Sequence, residues 1–207
     1  MIAIVDYGVG NLFSLKSSFA AIGADTVVTA DKALLEAADK VVLPGVGAFP
    51  DAAKKLQQAG LDRFLVELAR KGKPLLGICL GMQLLLEESL EYGRCPGLGL
   101  IPGTVAPISQ DIPQGLKIPH IGWNALQFTD KRTPLFHNIH EGDHVYFVHS
   151  YHATGCRADV IATCEYGATL TAAVARDNVY GCQFHPEKSG RVGLEILRAF
   201  CEEASLC

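Results

Sequence analysis

Up to about residue 90, apolar residues fall into short unbroken runs, each followed by a stretch where they recur at three- and four-residue spacing. Residues 2–5, 26–29 and 40–43 are β-branched runs and predict three strands. Leu12, Leu15, Phe19 and Ile22 predict a helix after the first, residues 32–38 a short one after the second, and Leu56 with residues 61–68 two more after the third. Leu75, Leu76 and Ile78 predict a fourth strand, and Met82, Leu84, Leu85 and Leu86 the start of an apolar helix. Beyond Glu88 the rhythm changes. Residues 90–118 are rich in Gly and Pro with no helical period, and residues 105–108, 125–128, 145–148, 161–164, 170–174 and 179–184 read as strands. Val192, Leu194, Ile196, Leu197 and Phe200 predict a closing helix over residues 190–203, capped by Ser189 or Gly190. The expected fold is α/β: a central, mostly parallel sheet flanked by helices, with extra antiparallel strands in the second half.

A chain of 207 residues that is 49% hydrophobic and 19% charged fits one globular domain, residues 1–207. With a net charge of -4 and no basic stripe, neither nucleic acid nor an anionic membrane is an expected partner. The N-terminus has no basic region ahead of its apolar residues, and Asp6 interrupts them, so it reads as a strand and not a signal peptide. The most apolar stretch, residues 75–86, contains Gln83 and falls short of the about 20 residues a membrane span needs. Seven cysteines without a C-x-x-C pair suggest reduced thiols in a cytoplasmic protein, with no metal site. The Gly8-Val9-Gly10 turn after the first strand lacks the third glycine of a dinucleotide fingerprint, since Phe13 stands there, so no cofactor is expected.

Candidate chemistry gathers at Cys79. Gly77 and Gly81 flank it at the junction of a predicted strand and a predicted helix, the pattern of a nucleophile elbow with Cys in place of Ser. A buried structural Cys is the alternative. The loop Pro44-Gly45-Val46-Gly47 follows the third strand at the sheet end where ligands bind, and reads either as a tight turn or as a source of oxyanion-stabilising N–H groups. An acyl-transfer Cys needs a base and a group that orients it. His185 ends a predicted strand, Pro186 stiffens the segment, and Glu187 lies two residues on, where an extended backbone would place it on the same side.

The segments G-I-C-L-G-M-Q and Q-F-H-P-E-K-S resemble those of the class I glutamine amidotransferases, and the resemblance spans the whole chain. It implies a flavodoxin-like class I glutaminase domain with a Cys79–His185–Glu187 triad. It also implies an oxyanion hole of the Leu80 N–H with an N–H from Gly45, Val46 or Gly47, and glutamine held by Gln83, Ser150 and Tyr151. D-Y-G-V-G-N, L-P-G-V-G-A-F, I-P-H-I-G-W-N and Y-F-V-H-S-Y are similar to the branch of the family that serves histidine biosynthesis. That branch implies hydrolysis of glutamine to glutamate and ammonia. The ammonia passes to a separate (β/α)8-barrel cyclase subunit, a heterodimer partner that makes imidazole glycerol phosphate and aminoimidazole carboxamide ribotide. Asn11, Trp123, Tyr146 and Lys188 match positions at or near that interface. Two other readings are a glutaminase serving a different synthase, and a non-catalytic flavodoxin-like module with Cys79 as redox sensor; the second leaves Glu187 and the Gly45–Gly47 loop without a purpose.

Overall fold

The computed structural model describes residues 1–131 and 133–202. The expected helix end at Glu203, and the seventh cysteine, Cys207, lie outside the described residues. Strand β1 (Ile2–Val5) is buried throughout, with Ile2 and Ile4 in the core on one face and Ala3 and Val5 in the core on the other. Successive strand side chains point to opposite faces, so an unbroken apolar run is what a strand covered on both sides requires. Helix α1 (Leu12–Ala21) follows, then β2 (Thr26–Thr29), α2 (Lys32–Ala37), β3 (Lys40–Gly45), α3 (Phe49–Gln58), α4 (Leu61–Arg70) and β4 (Leu75–Cys79). Asp31 caps α2, its carboxylate accepting from the Ala33 N–H at 2.8 Å.

After the five-residue helix α5 (Leu80–Leu84) come β5 (Leu86–Ser89), β6 (Cys95–Pro96), β7 (Ile101–Pro107), β8 (His120–Ala125), β9 (Gln127–Phe128), β10 (His144–His149) and β11 (Tyr151–Thr154). Strands β12 (Val160–Glu165), β13 (Thr169–Arg176) and β14 (Val179–Cys182) and helix α6 (Gly190–Glu202) complete the fold. The main sheet has the order β2-β1-β3-β4-β14-β13-β12-β9. It is parallel from β2 to β14 and antiparallel from β14 to β9. Leu15 and Phe19 of α1 and Ile196, Leu197 and Phe200 of α6 cover one face; Leu35, Leu56, Leu61 and Leu65 from α2, α3 and α4 cover the other. Two smaller sheets, β8–β10 and β11-β7-β5-β6, lie beyond. No helix among the described residues is long and apolar enough to cross a membrane.

The expected α/β fold is present, with differences in the second half. The apolar run Leu84–Leu86 does not continue the helix. The returning segment takes its carbonyls, with Leu98, Leu100 and Gly99 N–H donating to Leu84, Leu85 and Leu86 O at 2.8, 2.9 and 3.0 Å. A helix would need those acceptors for its own next turn. Strand β8 starts at His120 and not at residue 125, and β11 has no counterpart among the expected strands.

Candidate active site

Cys79 ends β4 with φ 54° and ψ -110°, a region a non-glycine residue occupies at a cost of about 1–3 kcal/mol. Glycines hold it there. A Cβ on Gly81 would lie 1.8 Å from Leu43 O, one on Gly77 2.6 Å from Gly81 O, and one on Gly45 2.8 Å from Gly81 N. All three are required by close backbone approach and none by a positive φ. Gly45, expected in the loop after the third strand, is the last residue of β3 and pairs with Cys79. In that loop Gly47 alone has a positive φ, 97°, and a Cβ there would meet nothing within 4 Å.

His185 and Glu187 do meet, Nδ1 to Oε1 at 2.7 Å, with both side chains nearly inaccessible. The route differs from expectation. His185 is extended, but Pro186–Lys188 forms a 3-10 turn, and the turn brings the carboxylate back to the ring. Ser189 fixes the corner, its hydroxyl donating to His185 O at 2.7 Å and accepting from Tyr146 N–H at 3.0 Å. His185 Nε2, the nitrogen facing away from Glu187, is buried without a hydrogen-bond partner among the described residues. Burial lowers the pKa of this imidazole; Cys79 and Glu187 raise it and prevail, carrying it to about 9. A group raised above its free value of 6.5 adds stability in full below that pH and loses it as pH rises through about 9. Glu187→Gln therefore shrinks the fall in thermal midpoint between pH 6.5 and 9, and lowers the midpoint at pH 7. Thermal melts across pH 6–10 check this, and parallel profiles for the two proteins would count against the carboxylate holding the imidazolium.

A pocket of about 420 Å³ opens onto these groups. Cys79, Leu80, Val46, Gly47, Gln83, Ser150, Tyr151 and His185 line it. Gly45 is not among the lining residues. Gln83 Nε2 donates to Tyr151 O and to Gln183 Oε1, both at 3.0 Å. Tyr151 O also faces His149 Nδ1 at 2.9 Å, so both its lone pairs are engaged. Behind it a row continues: His149 Nε2 to His120 Nδ1 at 3.0 Å, His120 Nε2 to Asn124 Oδ1 at 2.7 Å, and Asn124 Nδ2 to Glu165 O at 2.9 Å. Burial, opposed by the Tyr151 carbonyl, brings His149 down to about 3, and burial also lowers His120.

Four pocket residues were given no role from the amino-acid sequence: Glu91, Pro119, Val148 and His149, the last three inside the I-P-H-I-G-W-N and Y-F-V-H-S-Y segments. Glu91 lines the pocket, and its carboxylate accepts from Phe49 N–H at 2.7 Å. Pro119 and Val148 also line it. Of the four interface candidates, Asn11 and Lys188 lie in the segments that follow β1 and β14, and Trp123 and Tyr146 pair across β8 and β10. Trp123 is 53% exposed and meets the half-buried Tyr146 ring edge-on at 6.0 Å. Lys188 Nζ lies 5.8 Å from that ring and the residue lines the pocket. Asn11 is exposed and caps α1, accepting from Ser14 N–H at 3.3 Å.

The profile of the glutamine amidotransferase class-I family matches residues 3–204, and the chain belongs to that family. Within it, the chain is 50% identical over 202 residues to the imidazole glycerol phosphate synthase subunit HisH of Methanothermobacter thermautotrophicus, covering 98% of both chains. It is 47% identical over 207 residues to the subunit of the same name from Listeria monocytogenes, covering 100% of this chain and 98% of the relative. Among solved structures, one described as a glutamine amidotransferase superposes with a TM-score of 0.75 at 20% identity over 98% of each chain. The glutaminase domain of Trypanosoma brucei CTPS, with bound acivicin, superposes at 0.67 and 16% identity, over 98% of this chain and 94% of that one. At these identities the superpositions speak to fold alone.

Proposed function

We propose that this chain is the glutaminase subunit of an imidazole glycerol phosphate synthase, and that Cys79, His185 and Glu187 form its triad. The observation that carries the reading is a strained elbow Cys sharing one pocket with a buried imidazole that a carboxylate holds at 2.7 Å. The Cys79 sulfur attacks the side-chain amide carbon of glutamine, and the carbonyl electron pair moves onto oxygen. The Leu80 N–H and an N–H of the Val46–Gly47 segment receive that oxyanion. When the tetrahedral centre collapses, the C–N bond breaks, His185 gives its proton to the nitrogen, and ammonia leaves a glutamyl thioester. His185 then takes a proton from water as the water oxygen attacks the thioester, and glutamate departs.

The far end of glutamine carries an ammonium and a carboxylate. Glu91 is the anionic group in the pocket and suits the ammonium. Tyr151 pairs opposite Pro107, and the neighbouring bond runs from Ile108 N–H to Ser150 O, so Tyr151 turns its own N–H and C=O away from β7. Its carbonyl is engaged, so its N–H is what it offers to the carboxylate, beside Ser150. Gln83 acts by holding this segment. The nitrogen acceptor needs a partner, a (β/α)8-barrel cyclase. Ile121, 57% exposed, and Trp123 project from β8 on the same side as Tyr146 and Val148 of β10. Val148 and Lys188 also line the pocket, so a partner seated on this apolar face closes the pocket mouth and receives ammonia directly.

An electrophilic glutamine analogue tests the site. Among the described cysteines it labels Cys79 alone, because burial pushes up the thiols of Cys95, Cys156, Cys164 (to about 12), Cys182 and Cys201 (to about 11). Peptide mass mapping reads the result, and labelling at Cys95 or Cys182 instead would sink the assignment.

A further inference from the structure

We propose that Gln183 is a catalytic residue of this site, its side-chain amide donating an N–H to the Cys79 sulfur while its oxygen holds Gln83. The inference rests on Cys79 being the nucleophile. Gln183 follows β14 and is fully buried, at 0% exposure. An amide in such a place is costly unless both its ends are paired. The oxygen accepts from Gln83 Nε2 at 3.0 Å, and the nitrogen lies 3.7 Å from Cys79 Sγ, within reach for a sulfur acceptor. Gln183 therefore touches a reacting atom, a role that its place at the head of the Q-F-H-P-E-K-S segment did not reveal.

The orientation of this amide is dictated by the network. Tyr151 O can only accept, so Gln83 must turn its nitrogen to it. The same nitrogen faces Gln183, which must then answer with oxygen. That leaves the Gln183 nitrogen for the sulfur. Exchanging oxygen and nitrogen in either amide would set two donors or two acceptors against each other. A backbone carbonyl on β11 thus decides that an N–H points at the nucleophile on β4. A donor favours the charged form of the atom it meets. The sulfur is anionic when it attacks and again when it leaves the thioester. Gln183 thus assists both halves of the reaction, while His185 manages the proton.

Gln183→Met, of similar length with neither donor nor strong acceptor, tests this in the full chain assembled with its cyclase partner. The first readout is alkylation of Cys79 by iodoacetamide at pH 7 without glutamine, followed by mass spectrometry. It needs no turnover, so it judges Gln183 apart from the proposed function. The expected result is a rate constant at least about tenfold below wild type, the size of a hydrogen bond to a charged acceptor. The second readout is glutamine hydrolysis, where kcat falls about 10- to 100-fold with KM changed less than threefold. A residue that merely seats Gln83 would move KM and leave the alkylation rate alone. Cys182, fully buried one residue away, must stay unalkylated, which certifies the fold. If Gln183→Met exposes it, Gln183→Leu is read in the same way. Alkylation within threefold of wild type in a variant that keeps Cys182 protected would overturn the proposal. Failure of the wild-type complex to hydrolyse glutamine would overturn the proposed function instead.

Discussion

Cys79→Ala in the assembled enzyme is expected to abolish product formation from glutamine while leaving formation from ammonium salts at raised pH within about twofold of wild type. Loss of a nucleophile in a triad costs on the order of 10⁶-fold in kcat. The fold survives the change, because three glycines and the backbone of Leu43 fix the elbow independently of the sulfur. What the fold loses is a partner for one buried N–H, on Gln183, about 1–3 kcal/mol. Retention of the ammonium-dependent reaction is what the proposed division of labour requires, in which this chain contributes ammonia and the partner does the ring chemistry. Assaying both nitrogen sources in the same preparation is the check. If the ammonium-dependent rate falls with the glutamine-dependent one, Cys79 has a part in the partner's chemistry and the division of labour proposed above is wrong.

The second large effect concerns the Val46–Gly47 peptide. A glutaminase that ran without an acceptor would waste glutamine. The elbow itself has no freedom, with Gly45, Gly77 and Gly81 locked by contact. Gly47 differs, being exposed at φ 97° with open space around it. The peptide unit ahead of it can rotate at small steric cost, since glycine tolerates either sign of φ. One orientation turns an N–H towards Cys79 and completes the oxyanion hole; the other turns a carbonyl there. One missing oxyanion donor costs about 100- to 1,000-fold. The isolated chain is therefore expected to bind glutamine and hydrolyse it slowly, and partner plus nucleotide ligand to raise turnover by at least about 100-fold. The gain appears in kcat, because the interaction exists only in the transition state. Steady-state kinetics with and without the partner measure it, and an isolated chain already at full rate would exclude the switch.

The sequence showed the first four strands almost to the residue: β1, β3 and β4 are buried throughout and leave apolar runs, and β2, only partly buried at the sheet edge, is a β-branched run. It pointed to the proposed triad for a different reason: the elbow and the His-Pro-Glu corner are local motifs. The stretch from Leu84 to Leu86 misled because three leucines in a row have no period, and the bonds that end the helix come from residues 98–100. Strand β8 hid behind Gly122 and a face left open to solvent. Glu91 and Gln183 were illegible in another way. Each acts through a partner far along the chain, Phe49 for one and Cys79 and Gln83 for the other, and no spacing rule connects them.

The histidine row behind Tyr151 has an arithmetic of its own. Three contacts involve an imidazole nitrogen: with Tyr151 O, between the rings, and with Asn124 Oδ1. Each needs one hydrogen, and neither terminal oxygen can supply it. Two neutral rings carry two hydrogens between them. Turning the Asn124 amide around moves the shortage one step, since its oxygen would then face Glu165 O, another acceptor. With both rings neutral, one link must be two lone pairs face to face, and the row closes only when it gains a proton. His120 is where that proton belongs, since it lies farther along the row from the cation at His185 and its Nε2 faces the Asn124 oxygen. The row behind Tyr151 is thus one hydrogen away from completion, and the tautomers of the two rings decide which of the three links stands open.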